Sequence, residues 1–208
     1  MKKILFGLCA LSMTAMAAEG THVYLKAGLD PYGRFKEVKV QDNKINKSDR
    51  KDIGYEFSVE ATQSVLPDVE VGLGLGYQDH GRAKAAEVDG EKAELMPRFR
   101  SVPLYATAKY NLPIESEFHP YLKADLGYSF NMKSSKTYKY DDGEEYKFSY
   151  KNGMYWGLGA GVEYENFVAD LMYKMNYGKA KISDEDGSET HKLDYGRVTL
   201  SVGYRFDF

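Results

Sequence analysis

Apolar and polar residues alternate along almost the whole chain. The alternation recurs in eight runs: Val23–Leu29, Ile53–Ala61, Val69–Tyr77, Val102–Tyr110, Leu122–Phe130, Met154–Tyr164, Phe167–Tyr177 and Val198–Phe208. A period of two marks strands with two unlike faces. In the first run Val23, Leu25, Ala27 and Leu29 share one face, opposite Tyr24, Lys26 and Gly28. In the last, Val198, Leu200, Val202, Tyr204, Phe206 and Phe208 oppose Arg197, Thr199, Ser201, Arg205 and Asp207. Each run is close to the roughly 9–11 residues a tilted strand needs to cross a bilayer. No intervening segment has a useful helical period; the Ala/Glu/Lys-rich stretch Arg82 to Leu95 reads as loop.

The connections alternate in length. Leu66-Pro67-Asp68 and Glu165-Asn166 are short, and Asn111 to Pro120 is somewhat longer. Those at about 37–51, 79–98, 132–151 and 179–193 are long and charged. Short turns at one end and long loops at the other fit the periplasmic and extracellular ends of a membrane barrel. Asp89-Gly90, Asp142-Gly143 and Asp186-Gly187 lie near the middle of three long loops, where Asp-Gly suits a tight hairpin.

Alternation does not say which face points inward, and a soluble eight-stranded barrel hides its apolar face. Three features predict the inverse. The polar face is rich in glycine, as in Gly72, Gly74 and Gly76 or Gly157, Gly159 and Gly161, which suits a crowded interior. It carries nearly balanced charge: Lys26, Lys109, Lys123, Lys174, Arg197 and Arg205 against Glu56, Glu60, Glu70, Asp125, Glu163, Asp170 and Asp207. Aromatics such as Tyr77, Tyr110, Phe130, Trp156, Tyr164, Phe167, Tyr177 and Phe206 gather at the ends of the apolar face, where interface girdles belong. The predicted fold is all-β, an eight-stranded antiparallel up-and-down transmembrane β-barrel. Such a barrel is just wide enough for side chains to fill, so these charges are expected to pair as a lumen network.

The N-terminus changes the picture of the compartment. Met1-Lys2-Lys3 precedes the apolar run Ile4 to Ala10 and the small-x-small site Ala15-Met16-Ala17. This is the layout of a cleaved signal peptide over residues 1–17, leaving a barrel domain over 18–208. Cys9, the single cysteine, would leave with it, so the mature chain has no thiol chemistry. The whole-chain charge of −3 becomes −5 once Lys2 and Lys3 are lost, and no basic excess points to nucleic acid.

The chain resembles the OmpX/opacity-type family of small outer-membrane barrels over essentially all of 22–208. The resemblance rests on the eight runs, Pro120-Tyr121-Leu122 leading into Leu126-Gly127-Tyr128, Gly157-Leu158-Gly159-Ala160-Gly161, and the ending Val202-Gly203-Tyr204-Arg205-Phe206-Asp207-Phe208. It implies a place in the bacterial outer membrane among lipid and lipopolysaccharide. It also implies that Tyr204, Phe206 and Phe208 form the signal read by the barrel-assembly machinery. The fold itself hosts adhesins, anchors, enzymes and narrow channels, so it leaves function open.

Little points to catalysis or a cofactor. Gly72-Leu73-Gly74-Leu75-Gly76 keeps strict period two and has no following helix, unlike a dinucleotide loop. Asp184-Glu185-Asp186-Gly187 lacks the ligand spacing of a calcium loop. His22, His80, His119 and His191 show no ligand spacing, and no His-x-Ser cluster suggests a lipid hydrolase. The loops are the most suggestive surface: Lys44, Lys47 and Arg50 in the first, and Tyr138, Tyr140 and Tyr146 interleaved with lysine in the third. Such surfaces suit acidic polysaccharide, lipopolysaccharide phosphates or host and environmental ligands. The expectation is a monomeric, non-enzymatic structural or adhesin-like surface barrel without cofactor, with a narrow porin-like channel as the alternative.

Overall fold

In a computed structural model of the chain, the eight runs become eight antiparallel strands: β1 (Thr21–Phe35), β2 (Gly54–Leu66), β3 (Val69–Asp79), β4 (Arg100–Asn111), β5 (Phe118–Asn131), β6 (Gly153–Tyr164), β7 (Phe167–Asn176) and β8 (Tyr195–Asp207). The structure describes residues 20–35, 38–40, 43–45, 48–49, 52–81, 86–88, 91–93, 99–132, 137–139, 145–183, 188–192 and 194–208. The expected signal peptide over 1–17 and the Asp184-Glu185-Asp186-Gly187 turn lie outside them.

Each strand pairs with its neighbours in sequence, and β1 pairs with β8 from His22↔Asp207 to Phe35↔Tyr195, closing the barrel. Closure satisfies every strand edge within the barrel, as a membrane-spanning sheet requires, because hydrocarbon offers no hydrogen-bonding partner. Among the described residues there is no helix long and apolar enough to cross a membrane; the strands make the crossing.

Burial settles the face. Leu73, Leu126 and Val202 are 64%, 60% and 62% exposed, whereas Glu60 and Arg197 are 2% and 0% exposed. A soluble barrel would have these values exchanged; an apolar band facing outward is stable only in lipid. Aromatic pairs border the band at both ends. Phe118–Tyr164, Phe167–Tyr204 and Tyr204–Phe206, with ring centroids 5.0, 5.4 and 4.9 Å apart, lie at the short-turn end. Tyr128–Phe130 and Trp156–Tyr173, at 5.4 and 5.7 Å, lie at the long-loop end.

β1 runs further than the alternation predicts. Between Leu29 and Tyr32 its register against β8 shifts, because three steps on β1 oppose two on β8, from Leu200 to Val198. This bulge contains Pro31, which has no N–H to give a ladder, so a bulge is where the strand tolerates it. The extra residue returns Gly33 and Phe35 to the inward face, and both are buried.

The long connections also hold paired strands. Val38–Val40 pairs with Asn43–Ile45, and Ala86–Val88 with Glu91–Ala93 around Asp89-Gly90, within the stretch expected to be plain loop. Thr137–Lys139, Glu145–Lys151, Lys179–Ser183 and Ser188–Lys192 form a four-stranded sheet beyond the barrel rim.

Candidate functional site

The inward faces of the eight strands bring the charged residues of the polar pattern together in three levels. At the short-turn end, Lys109 of β4 meets Glu163 of β6 and Glu70 of β3, the latter at 3.0 Å. The Tyr24 hydroxyl donates to Glu70 at 2.8 Å, and so does Thr62, while Asn111 donates to its other oxygen at 3.1 Å. Arg205 closes this level from β8 by donating to Glu163 at 2.5 Å.

In the middle, Glu60 of β2 accepts from Lys123 across the lumen, from Lys26 at 3.0 Å and from the Tyr105 hydroxyl at 2.8 Å. Lys26 also donates to Asp170 at 2.8 Å, which takes a hydrogen bond from Tyr121. Asp125 lies 3.5 Å from Lys123 and accepts from Thr107 at 2.8 Å. Towards the long-loop end, Glu56 is held by Lys174 and by Arg197 at 3.1 Å. Arg197 reaches Asp30 at 3.4 Å, and Thr199 donates to Asp30 at 2.7 Å.

The structure therefore joins Lys26, Glu56, Glu60, Glu70, Lys109, Lys123, Glu163, Asp170, Lys174, Arg197 and Arg205 into one lumen network, to which Asp125 is attached through Lys123 on its own strand. Asp207 is different. Its side chain is 44% exposed and bonds Arg205 and His22 at 2.8 and 2.6 Å, so it is a rim residue and does not join the filled interior. It sits at the last pairing of β8 with β1, where the strand leaves the barrel.

Sequence reasoning missed two parts of the site. Asp30 belongs to the network but sits at the bulge, just past the recognisable alternation. A buried aromatic cap also lies above Arg197. Phe35 packs on Tyr195 at 4.6 Å between centroids, and His80 lies 4.8 Å from both Phe99 and Tyr195. All four are at most 3% exposed. These residues come from four separate chain regions and share no local motif.

Inward tyrosines fill the bore, and glycines on neighbouring strands make room for them. Tyr105 is paired with Gly74 on one side and Gly127 on the other. Gly127 in turn pairs with Tyr155, whose ring lies 5.2 Å from that of Tyr105. A Cβ on Gly74 would fall 2.3 Å from the Tyr105 ring, and one on Gly161 would fall 2.4 Å from the Tyr121 ring.

Among the described residues folding brings together two Ser–His pairs. At the exposed short-turn rim His22 Nε2 lies 3.1 Å from Ser64 Oγ, with its Nδ1 2.6 Å from Asp207. The second pair, His80 Nε2 and Ser101 Oγ, is 2.8 Å apart and lies in the interior. It lacks what nucleophilic catalysis needs. Both residues are fully buried, the Ser101 hydroxyl donates to Gln78 at 3.1 Å, and His80 Nδ1 has no hydrogen-bond partner to orient the ring. Among the described residues no three His, Cys, Asp or Glu side chains converge as a metal site.

Tyr204 and Phe206 lie on the lipid-facing row of β8 and are 39% and 41% exposed, and Phe208, directly after the strand, is 52% exposed. Of the loop candidates, Lys44 lies on Asn43–Ile45 opposite Lys39, and Tyr138 is paired with Tyr146. Lys47, Arg50 and Tyr140 lie outside the described residues.

Comparison with known proteins agrees with this geometry. Residues 4–206 match the family model "Outer membrane protein beta-barrel domain". A relative, the uncharacterized protein PM1543 of Pasteurella multocida (strain Pm70), is 31% identical over 99% of this chain and 98% of its own length. Among solved structures, OprG from Pseudomonas aeruginosa superposes with a TM-score of 0.56 at 15% identity, covering 91% of this chain and 97% of OprG. AlkL, solved in DMPC lipid bilayers, gives 0.57 at 14% identity, covering 91% and 92%. At such identities the two structures speak for the fold alone. The inverted burial, the closed eight-stranded ladder and the family match lead to one assignment: the chain belongs to the outer membrane protein β-barrel domain family, as an eight-stranded barrel of the bacterial outer membrane.

Proposed function

We propose that this barrel is a non-enzymatic surface protein whose lumen is a structural strut and whose work is done by its outer loops. That work is to stabilise the outer membrane or to contact host or environmental ligands. The carrying observation is the lumen itself, where buried cations and carboxylates spend their hydrogen-bonding capacity on one another across the bore. A conducting pore keeps its charges hydrated, whereas these are 7% exposed or less for all the lysines and for Arg197. The aromatic cap at the outer end adds a second obstruction. With the interior committed to packing, the surfaces left to meet a partner are the long loops, including Lys44, Lys47, Arg50, Tyr138, Tyr140 and Tyr146.

Three further parts belong to this reading. Residues 1–17 are removed on export. The exposed row Tyr204, Phe206 and Phe208 is the feature that the assembly machinery engages. The closed ladder supports a monomer, because no barrel edge is left to pair with a second copy. The test is to shorten the loops at 37–51 and 132–151 together and assay binding of cells to host or environmental surfaces. Binding is expected to be lost while the barrel still inserts and shifts on unheated gels. Undiminished binding would overturn the contact role.

A further inference from the structure

The buried aromatic cap ties together the roots of the outer loops. Phe35 ends β1 and Tyr195 begins β8, and the two are paired across the closing seam. His80 and Phe99 stand at the two ends of the β3–β4 connection. There the His80 N–H donates to Phe99 O at 2.9 Å and the Phe99 N–H to Gly81 O at 3.1 Å. Phe99 also meets Phe35 edge-on, with ring centroids 6.4 Å apart. The β1–β2, β3–β4 and β7–β8 connections, three of the four long ones, therefore leave the barrel from one packed cluster. The cluster lies outside the membrane. Phe99 is three residues, roughly 10 Å of strand, beyond Val102, which pairs with Phe130 of the outer girdle.

At the centre of the cluster is an imidazole whose proton its neighbours assign. Gln78 donates through its amide nitrogen to Glu56 at 3.3 Å, which leaves its oxygen for Ser101. The Ser101 hydroxyl gives its one proton to that oxygen at 3.1 Å and accepts from Asn176 at 3.3 Å. His80 Nε2, 2.8 Å from Ser101 Oγ, is then the donor, so the lone pair of the ring is on Nδ1. That nitrogen is buried and has no hydrogen-bond partner. The ring itself is fully buried between Phe99 and Tyr195, each 4.8 Å away.

A proton arriving on Nδ1 finds no acceptor in the closed cap. Around the ring, β8 supplies Arg197 and the Tyr195 phenol. Asp30 of β1 and Glu56 of β2 are turned to Arg197, at 3.4 and 3.1 Å. Asp79, at the end of β3, accepts from the Gly81 N–H and from Arg100 of β4, both at 3.0 Å. Asp52 approaches at Gly81, and β7 contributes the neutral Asn176. Burial first, and then the Arg197 guanidinium, hold the His80 imidazole well below its usual range. With a depressed folded value, the stability that the neutral ring contributes is complete above the ordinary histidine value of about 6.5. It is lost progressively as pH falls below that.

We propose that the cap is an acid-released clasp: proton uptake by His80 opens it and frees the roots of three outer loops. The outer surface is then held in one arrangement near neutral pH and released in acid. The proposal rests on the reading that the loops are the working part, and it supplies their regulation.

The test follows hydrogen exchange of the full mature barrel in nanodiscs at about pH 7.5 and about pH 5.5, one unit either side of the ordinary histidine value. Each rate is divided by the intrinsic chemical rate at that pH. Peptides holding Phe35, Phe99 and Tyr195 are expected to lose about 10-fold in protection at the lower pH. Peptides from the middle of β4 and β5 are expected to keep theirs. His80→Gln keeps a donor for Ser101 but cannot take up the proton, and His80→Phe keeps the ring stack. Both variants are expected to lose the pH response of the cap. Nitrogen-15 NMR of the imidazole at the higher pH is expected to show a protonated Nε2 and a bare Nδ1. Three results would overturn the proposal: unchanged cap protection in the wild type, a pH response that survives in either variant, or a doubly protonated His80 at the higher pH. None of them bears on whether the loops bind a surface, which loop shortening tests separately.

Discussion

Glu60 is the residue on which the lumen turns. It takes charge-assisted hydrogen bonds from Lys26 and Lys123 and a third bond from Tyr105, at 2% exposure. Glu60→Gln keeps its shape and removes its charge, leaving Lys123 with the longer 3.5 Å contact to Asp125. Breaking a buried pair by removing one partner costs about 3–5 kcal/mol. Since Lys26 retains Asp170, a loss near the lower end, roughly 3 kcal/mol, is expected in denaturant unfolding of the refolded barrel. Asp207→Asn, at the 44% exposed rim, is expected to cost less than ~1 kcal/mol in the same measurement. Similar losses for both would mean that the interior is as wet as the rim.

At the scale of the strand, the inward glycines of β3 and β6 are fitted to tyrosines on their neighbours. In Gly74→Ala the new Cβ meets the Tyr105 ring at 2.3 Å and the hydroxyl at 2.7 Å, so the ring must move away from Glu60. Overpacking of this kind costs ~1–3 kcal/mol. Gly157→Ala, whose nearest neighbour is the flexible Lys174 stem at 3.3 Å, is expected to cost clearly less. Thermal unfolding of the two variants side by side checks the contrast; equal midpoints would contradict it. The strands themselves were legible in the sequence because a period of two is a local signal, readable wherever an alternation such as Val71, Leu73 and Leu75 persists. The bulge at Leu29–Tyr32 was not, since it depends on the register of β8, nearly the whole chain away. The Asp30 contact and the inward turn of Phe35 were lost with it.

For the whole molecule, the charges of the polar face could be read from sequence, but not which would meet. Lys26 finds Asp170, 144 residues on, and Glu56 finds Arg197, 141 residues on. Those partners are chosen by barrel closure, and so is the cap of Phe35, His80, Phe99 and Tyr195. The outer sheet was half visible, as lysines interleaved with tyrosines around Asp142-Gly143. Only the pairing shows that these segments join Lys179–Ser183 and Ser188–Lys192 in one sheet. From the short-turn end to the cap the buried charges are paired with one another, and the proposed outer-surface function rests on that pairing. Single-channel recording in a planar bilayer tests that most directly. A lumen paired with itself predicts no steady conductance from the inserted, heat-modifiable barrel; reproducible ohmic steps from the same preparation would contradict it.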